Sequence, residues 1–217
     1  MNRNIAEQGI LIVLSSPSGA GKTSLARSIV TENKGIVFSV SATTRLPRSG
    51  EVDGQEYYFM DRKKFNQMTK NSEFIEFAEV FGNFYGTPKK DIQKLIQDGL
   101  DVIIDVDWQG GTQIRNSYLS SFVVSIFILP PTIQSLEERL LLRAQDDRRT
   151  VDFRMQEARS EISHWAEYDY VLINDNFLKT KEDIMKIIQA EKMRRQRQAS
   201  LPDFISQLNS EFDLIKG

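Results

Sequence analysis

The stretch that decides the fold is Gly9-Ile10-Leu11-Ile12-Val13-Leu14, followed after one residue by Ser16-Pro17-Ser18-Gly19-Ala20-Gly21-Lys22-Thr23. The first part is a continuous aliphatic run, which is typical of a strand buried on both faces of a parallel sheet. The second part is small and glycine-containing, and Leu25, Ile29 and Val30 follow it at helical spacing. This order of strand, tight loop and helix predicts an α/β domain.

Three later runs also have the composition of buried strands, and helical patterns alternate with them. The runs are residues 102–107, 123–129 and 170–174. The helical patterns are residues 91–97, 133–143 and 181–195. Alternating strands and helices favour a parallel sheet whose strands are joined by crossover helices.

Two segments interrupt this alternation, and a tail follows it. Residues 41–86 are aromatic-rich, with short alternating strands at 56–60 and 74–80, and they predict a small α+β insertion. Residues 143–159 hold five arginines and four acidic residues. They are either solvated helices laced with ion pairs or a mobile cover that brings arginines over a substrate. Beyond Glu191, apolar residues at helical spacing predict a short docked helix or an oligomer contact, such as a homodimer interface.

The composition narrows the function classes. The chain has 217 residues, which suits one globular domain with moving appendages. Its 28 basic and 30 acidic residues give no reason to expect nucleic-acid or membrane binding. The absence of cysteine excludes disulfides, thiolate zinc sites and cysteine nucleophiles. The polar start lacks a signal-peptide core, and the longest apolar runs are far shorter than the roughly 20 residues of a membrane span, so we expect a cytoplasmic protein.

The glycine-containing loop has the chemistry of a phosphate site. Residues 16–23 match the P-loop pattern G-x-x-x-x-G-K-[ST], with Ser16 in place of the first glycine. Such a loop turns its backbone N–H groups toward phosphate oxygens, and the following helix adds its positive end. Lys22 is then expected to reach the β- and γ-phosphates, and the Thr23 hydroxyl to ligate Mg²⁺. The loop therefore predicts a nucleoside triphosphate site.

Two acidic residues follow the second predicted strand, at the edge where open α/β sheets bind ligands. Asp105 and Asp107 are two residues apart, so we expect them to share a face. Each is either a helix cap or a partner for Mg²⁺-bound water, and Asp105 is the stronger candidate for the metal because Ile104 and Val106 hold it in the sheet.

The insertion carries a candidate anion site. Arg45 and Arg48 lie on either side of Pro47, which stiffens the loop so that both guanidinium groups can converge on one anion. The alternative is a solvated surface loop. Tyr57 and Tyr85 offer hydroxyl groups for the same phosphate, although each alone could equally be a packing aromatic.

Glu76 is a charged residue among apolar neighbours in Phe74-Ile75-Glu76-Phe77. Strand alternation leaves two alternatives, since the side chain faces either water or a pocket. In a pocket, one carboxylate accepts hydrogen bonds from both N1–H and N2–H₂ of guanine. Adenine has no donor at N1 and would leave the acid unpaired, which is a strong discrimination.

Taken together, these motifs resemble guanylate kinase, in that family's order and over about residues 9 to 190. The matching stretches are the P-loop, T-T-R-x-P-R-x-G-E at 43–51, F-I-E-F-A at 74–78, G-x-x-Y-G at 82–86 and D-V-D-x-Q-G at 105–110. The resemblance implies a P-loop NTPase-type parallel sheet covered by helices, with a small α+β GMP-binding insertion and a helical lid. It also implies Mg²⁺-dependent transfer of the ATP γ-phosphoryl group to GMP or dGMP.

The resemblance assigns roles residue by residue. It implies that guanine is contacted by Ser41, Glu76 and Asp107. It implies that the GMP phosphate is held by Arg45, Arg48, Tyr57 and Tyr85, with Glu51 and Thr87 in support. The implied ATP site is Ser16, Pro17, Ser18, Gly19, Ala20, Gly21, Lys22, Thr23, Ser24, Arg139 and Asn174. The implied metal site is Thr23 with Asp105 through water, and the implied catalytic groups are Lys22, Arg45, Arg48, Arg143 and Arg154.

The same resemblance gives the domain limits and the departures. The implied units are a core of 1–40, 88–137 and 160–190, a GMP-binding insertion of 41–87, a lid of 138–159 and a tail of 191–217. The chain departs from the family at Ala144, Arg148, Arg149 and Asn176, which bear on the lid and the adenine contacts. Two rivals stay open, namely a catalytically inactive peptide-binding module of the same shape and a P-loop kinase for another acceptor.

Overall fold

The computed structural model describes residues 8–48, 50–80, 82–143 and 148–215. In chain order, its strands are β1 (Leu11–Ser15), β2 (Ile36–Phe38), β3 (Ser41–Thr43), β4 (Tyr57–Phe59), β5 (Phe74–Val80), β6 (Asn83–Pro88), β7 (Asp101–Asp105), β8 (Val123–Leu129) and β9 (Tyr170–Ile173). Its α-helices are α1 (Lys22–Glu32), α2 (Arg62–Lys70), α3 (Lys89–Gln97), α4 (Trp108–Arg115), α5 (Ile133–Arg143), α6 (Arg148–Ile162), α7 (Phe177–Lys192) and α8 (Leu201–Ile215).

The central sheet is parallel, with the strand order β2-β7-β1-β8-β9. Every residue of β1 is buried, because helices cover both of its faces. On one face, α1 and α7 pack against alternate β1 residues such as Ile12 and Leu14. On the other face, α3 and α4 pack against Leu11 and Val13. The predicted α/β fold with a helix-covered parallel sheet is confirmed.

The predicted strands of this sheet are present, with two differences. The sheet also contains β2, a three-residue edge strand that the sequence did not predict. The strand predicted at 170–174 is β9, at the opposite edge of the sheet, and the prediction that it is buried on both faces was wrong. Tyr170 and Leu172 pack against the core, whereas the other face is exposed. Val171 is 36% exposed and Ile173 is 58% exposed.

Residues 41–88 build a second, mixed sheet with the order β4-β3-β6-β5. The strands predicted at 56–60 and 74–80 correspond to β4 and β5, while β3, β6 and α2 were not predicted. The small core of this unit centres on Phe65 of α2, which is 1% exposed. Its ring stacks on Phe74 and Phe84 at centroid distances of 4.6 and 5.5 Å.

The charged segment after β8 forms helices. The helix predicted at 133–143 is confirmed as α5, and α6 packs against it through Leu136, Leu140 and Val151. The helix expected in the tail is α8, on which Ile205 and Phe212 are exposed. Within the described residues, no helix is long and apolar enough to cross a membrane.

We predict that Phe65→Ala destabilises the protein by about 3 to 5 kcal/mol, because the cavity would lie in a core too small to close around it. The matched control is Phe212→Ala, which removes the same atoms from a side chain that is 61% exposed. Urea unfolding followed by circular dichroism measures both changes. Equal losses in the two variants would contradict this account of the second core.

Candidate active site

A cleft of about 380 Å³ lies where the carboxyl end of the parallel sheet faces the second sheet. Its walls come from the loop of residues 16–23 (the phosphate loop), the second sheet, the end of β7 and the helix α6. The lining residues are Ser16, Pro17, Ser18, Gly19, Gly21, Lys22, Thr23, Ser41, Arg48, Tyr57, Glu76, Ala78, Val80, Tyr85, Asp105, Val106, Asp107, Arg154 and Glu161. Charges of both signs therefore converge on one volume.

The phosphate loop joins β1 to α1 through a left-handed residue. Gly21 has a φ of 98° and precedes α1 without a side-chain cap, so the first N–H groups of α1 lack that usual partner. A Cβ on Gly21 would lie 2.6 Å from Nδ2 of Asn174. Asn174 is buried and donates to the Ala20 carbonyl, as does Arg139. These two residues brace the loop from outside the cleft lining. Ser16 does not adopt a positive φ, so the first loop position does not require glycine.

The Asp105 carboxylate contacts the side chains of Lys22 and Thr23, the last two residues of the phosphate loop. Lys22 Nζ lies 2.6 Å from Oδ1 of Asp105 and donates to the Val106 carbonyl, also at 2.6 Å. The Thr23 hydroxyl donates to the other oxygen of Asp105. A hydroxyl and a carboxylate side by side are oxygen ligands of the kind that Mg²⁺ uses beside phosphates and water. Among the described residues, no group of three or more His, Cys, Asp or Glu side chains could hold a metal ion alone.

Asp107 serves as a helix cap. Its Oδ1 accepts from the Gly110 N–H at 2.9 Å, at the start of α4. The capping alternative drawn from the sequence therefore holds for Asp107, and the residue lines the cleft as well. Asp105 and Asp107 have different partners, since one lies in a strand and the other caps a helix.

Glu51 holds the loop that carries Arg45 and Arg48. Arg45 Nη2 lies 2.8 and 3.0 Å from the two oxygens of Glu51, and the Arg48 backbone N–H donates to Glu51 at 2.7 Å. The hydrogen bond from Arg45, followed by that from Arg48, lowers the pKa of the Glu51 carboxyl. The Arg45 guanidinium also lies 5.4 Å from the Tyr57 ring centroid. Arg48, Tyr57 and Tyr85 line the cleft, whereas Arg45 and Glu51 act behind them.

Glu76 faces the cleft, which decides between the two alternatives left by the sequence. It is 4% exposed, and Oγ1 of Thr87 donates to it at 2.6 Å. Ser41 contacts the same Thr87 hydroxyl at 3.2 Å, so the three side chains form a chain of hydrogen bonds. Burial, with a smaller contribution from the charge of Asp107, raises the pKa of Glu76 to about 7, against the opposing effect of Thr87. A buried acid poised near neutrality is a candidate binding group.

The backbone of α4 closes the cleft wall behind Glu76. A Cβ on Gly110 would lie 2.9 Å from Oε2 of Glu76 and 3.1 Å from Cβ of Val106. Gly110 therefore permits a close approach of the helix to the carboxylate. Gly110 was predicted only as part of the motif at 105–110, with no role of its own.

The helix α6 contributes a cation and an anion to the cleft. Arg154 was predicted, while Glu161 was not. Oε2 of Glu161 accepts from the Ser18 N–H of the phosphate loop at 3.0 Å. A single Glu in a helix rich in charges gives no sequence signal of this contact. The predicted residue Arg143 has its side chain outside the described part of the chain, as do Ala144, Arg148 and Arg149.

The remaining predicted residues lie outside the cleft lining. They are Ala20, Ser24, Arg45, Glu51, Thr87, Arg139 and Asn174. Thr87 and Glu51 bond directly to the lining residues Glu76 and Arg48, whereas Arg139 and Asn174 bond to the Ala20 carbonyl of the phosphate loop. The lining also includes Ala78, Val80 and Val106, which sequence reasoning did not select.

The chain is similar to known proteins over nearly its whole length. The sequence model of the family described as Guanylate kinase matches residues 8–191. The chain is 52% identical over 209 residues to a guanylate kinase of Cereibacter sphaeroides, covering 96% of this chain and 99% of that protein. It is 50% identical to a guanylate kinase of Ruegeria pomeroyi, with 95% and 97% covered. The crystal structure of guanylate kinase from Anaplasma phagocytophilum superimposes with a TM-score of 0.77 at 38% identity, covering 93% of this chain and 95% of that one.

The raised pKa of Glu76 predicts a pH-dependent cost of folding. Because the folded pKa of about 7 exceeds the ordinary value of 4.5, the native state binds more protons than the unfolded state between these values. Stability from this group is therefore lost as pH rises from about 4.5 through 7 and is constant above. Glu76→Gln removes the titration, so we predict that its stability relative to the parent rises by roughly 2 to 3 kcal/mol between pH 5 and pH 8.

Urea unfolding at both pH values measures this difference. The matched control is Glu79→Gln, because Glu79 lies on the exposed side of the same strand. A Glu76→Gln variant with the same pH dependence as the parent would contradict the buried-acid assignment.

Proposed function

Because the chain belongs to the guanylate kinase family, we propose that it transfers the γ-phosphoryl group of ATP to GMP, and also to dGMP, giving ADP and GDP. The observation that carries the proposal is that Lys22 and Arg48 line one cleft whose wall also contains Glu76. A triphosphate on the loop and a monophosphate on the arginine side would then meet end to end. We expect the protein to act on free nucleotides in the cytoplasm.

The acceptor is assigned to the second sheet. Arg48, Tyr57 and Tyr85, supported by Arg45 and Glu51, are proposed to hold the GMP phosphate, since guanidinium groups bind phosphate oxygens in a fixed geometry. Glu76, with Ser41 and Asp107, is proposed to contact guanine. The burial of Glu76 and its single described donor, Thr87, support this role, because guanine N1–H and N2–H₂ would supply further hydrogen bonds.

The donor is assigned to the phosphate loop. Lys22 would leave its bond to the Val106 carbonyl and neutralise the transferring phosphoryl group. Thr23 and Asp105 would hold Mg²⁺, the hydroxyl directly and the carboxylate through water. When bound, the metal would supply charge neutralisation between the phosphates. Arg139 and Asn174, which brace Ala20, are proposed to lie near the adenosine end.

The chemistry requires no general base from the protein. A phosphate monoester has its second pKa near about 6, so the acceptor is largely dianionic at neutral pH. Positioning and charge neutralisation then account for catalysis. The single histidine, His164, is not placed to act as a general base, because it is not among the residues that line the cleft. Its ring stacks on Trp108 with the centroids 3.7 Å apart, and it hydrogen-bonds to Glu167.

The domain roles are likewise proposals. Residues 41–87 are the GMP-binding insertion, 138–159 are the lid, and 1–40, 88–137 and 160–190 are the core, followed by the tail of 191–217. The cleft contacts of the second sheet and of Arg154 on α6 support the first two assignments. Arg143 and Arg154 would approach the phosphoryl group as the lid closes and excludes water.

A coupled assay of ADP release tests the function with GMP, dGMP, AMP, CMP and UMP as acceptors. We predict turnover with GMP and dGMP, and we predict that Glu76→Gln lowers kcat/KM for GMP by about 10- to 100-fold while changing the AMP value much less. Glu79→Gln serves as the control from the same strand. No turnover with any acceptor would favour the peptide-binding module, and preference for another acceptor would favour a different kinase.

Lys22→Ala should lower kcat by at least about 100-fold, because a cation at the transferring group acts mainly in the transition state. The exposed Lys34→Ala variant is the control for a general loss of charge. Thermal unfolding of both variants checks that the fold is kept. A Lys22→Ala enzyme with a tenth of the parent activity would contradict the role assigned to Lys22.

A further inference from the structure

Glu161 makes a long-range contact that the proposed reaction does not use. It lies near the end of α6, is half-buried and lines the cleft. Its Oε2 accepts from the backbone N–H of Ser18, across 143 positions of sequence. Backbone N–H groups of such a loop are the groups that bind phosphate oxygens. A side chain of the chain itself therefore occupies an anion position of the phosphate loop.

The groups around Glu161 act on its carboxyl in opposite directions. Burial is the largest effect on its carboxyl and raises the pKa, while the Ser18 N–H and the charge of Lys22 act in the opposite direction. The charges of Asp107 and Glu157 add repulsion. A phosphate on the loop would add to this repulsion, and a phosphate oxygen bound at the Ser18 N–H would exclude the carboxylate from it.

We propose that Glu161 occupies a phosphate position of the loop in the nucleotide-free protein and that the polyphosphate of the nucleotide must displace it. The inference rests on the proposed use of this loop for ATP. Glu161 is a positioning residue, because it acts through the loop and through α6. Displacing it breaks the hydrogen bond that joins the end of α6 to the loop.

The helix carries the complementary charge on the same face. Arg154 precedes Glu161 by seven residues, or two helical turns, and both line the cleft. A phosphate on the loop would repel the carboxylate and attract the guanidinium.

The size of the effect follows from competition. If the carboxylate occupies the loop for about nine-tenths of the time, the apparent affinity for a phosphate ligand is reduced about tenfold. Removing the Glu161 carboxylate would therefore raise the apparent affinity about tenfold. A gain of affinity is a useful readout, because damage to the fold would weaken binding instead.

Isothermal titration calorimetry on the full chain tests the proposal with three probes: ADP, inorganic tripolyphosphate and GMP. We expect Glu161→Gln to bind ADP and tripolyphosphate about five- to tenfold more tightly than the parent, with GMP affinity unchanged. Glu161→Ala should give the same gain without leaving an amide oxygen near Ser18. The matched control is Glu157→Gln, which removes the same charge from an exposed position one turn earlier in α6.

Three results would overturn the proposal: unchanged or weaker binding of tripolyphosphate by both Glu161 variants, an equal gain in Glu157→Gln, or a gain for ADP alone. The second would reduce the effect to general electrostatics, and the third would place it away from the phosphates. The outcome is separable from the kinase assay. Tighter tripolyphosphate binding with no GMP-dependent ADP release would support the competition at the loop and reject the reaction.

Discussion

The carboxylate of Asp105 organises the phosphate-loop side of the cleft, because it contacts both Lys22 and Thr23. Its position is set by the fold, since the parallel pairing of β1 with β7 places Leu14 opposite Asp105. The phosphate loop therefore begins beside the end of β7, at the edge where open α/β sheets bind ligands. The second sheet and its loops place Arg48 and Glu76 on the other side of the same cleft.

Most of the central sheet was predictable from the sequence, because a strand buried on both faces leaves a continuous aliphatic run. The short and locally ambiguous elements were not. β2 has only three residues, too short a run to be recognised as a strand. β6 includes Gly86 and Pro88, which are depleted in strands, and α4 includes Gly110 and Gly111, which disfavour a helix. These elements form because strand pairing, the Asp107 cap and burial of Ile114 outweigh local preference. For β9, composition could not distinguish an edge strand from a central one.

The site residues that follow a motif could be identified from the sequence, whereas those defined by a tertiary contact could not. Glu76 illustrates the limit, because alternation allowed both faces and only the packing of the second sheet against α4 buries it. The surroundings also shift the pKa values of Glu76 and Glu51 in opposite directions. Burial raises the pKa of Glu76, whereas hydrogen bonds from Arg45 and Arg48 lower that of Glu51. Glu161 could not be identified from the sequence, because its partner Ser18 is 143 positions away and no local pattern joins the two residues.

The close approach at Gly110 means that main chain, rather than a side chain, forms the wall behind Glu76. Any bulk added there would press on the carboxylate, because Val106 follows directly after β7 and is held by the sheet, while the end of Glu76 can rotate. Rotation would cost the hydrogen bond from Thr87. A change at position 110 would therefore act on the Glu76 carboxylate directly, although Gly110 itself does not line the cleft.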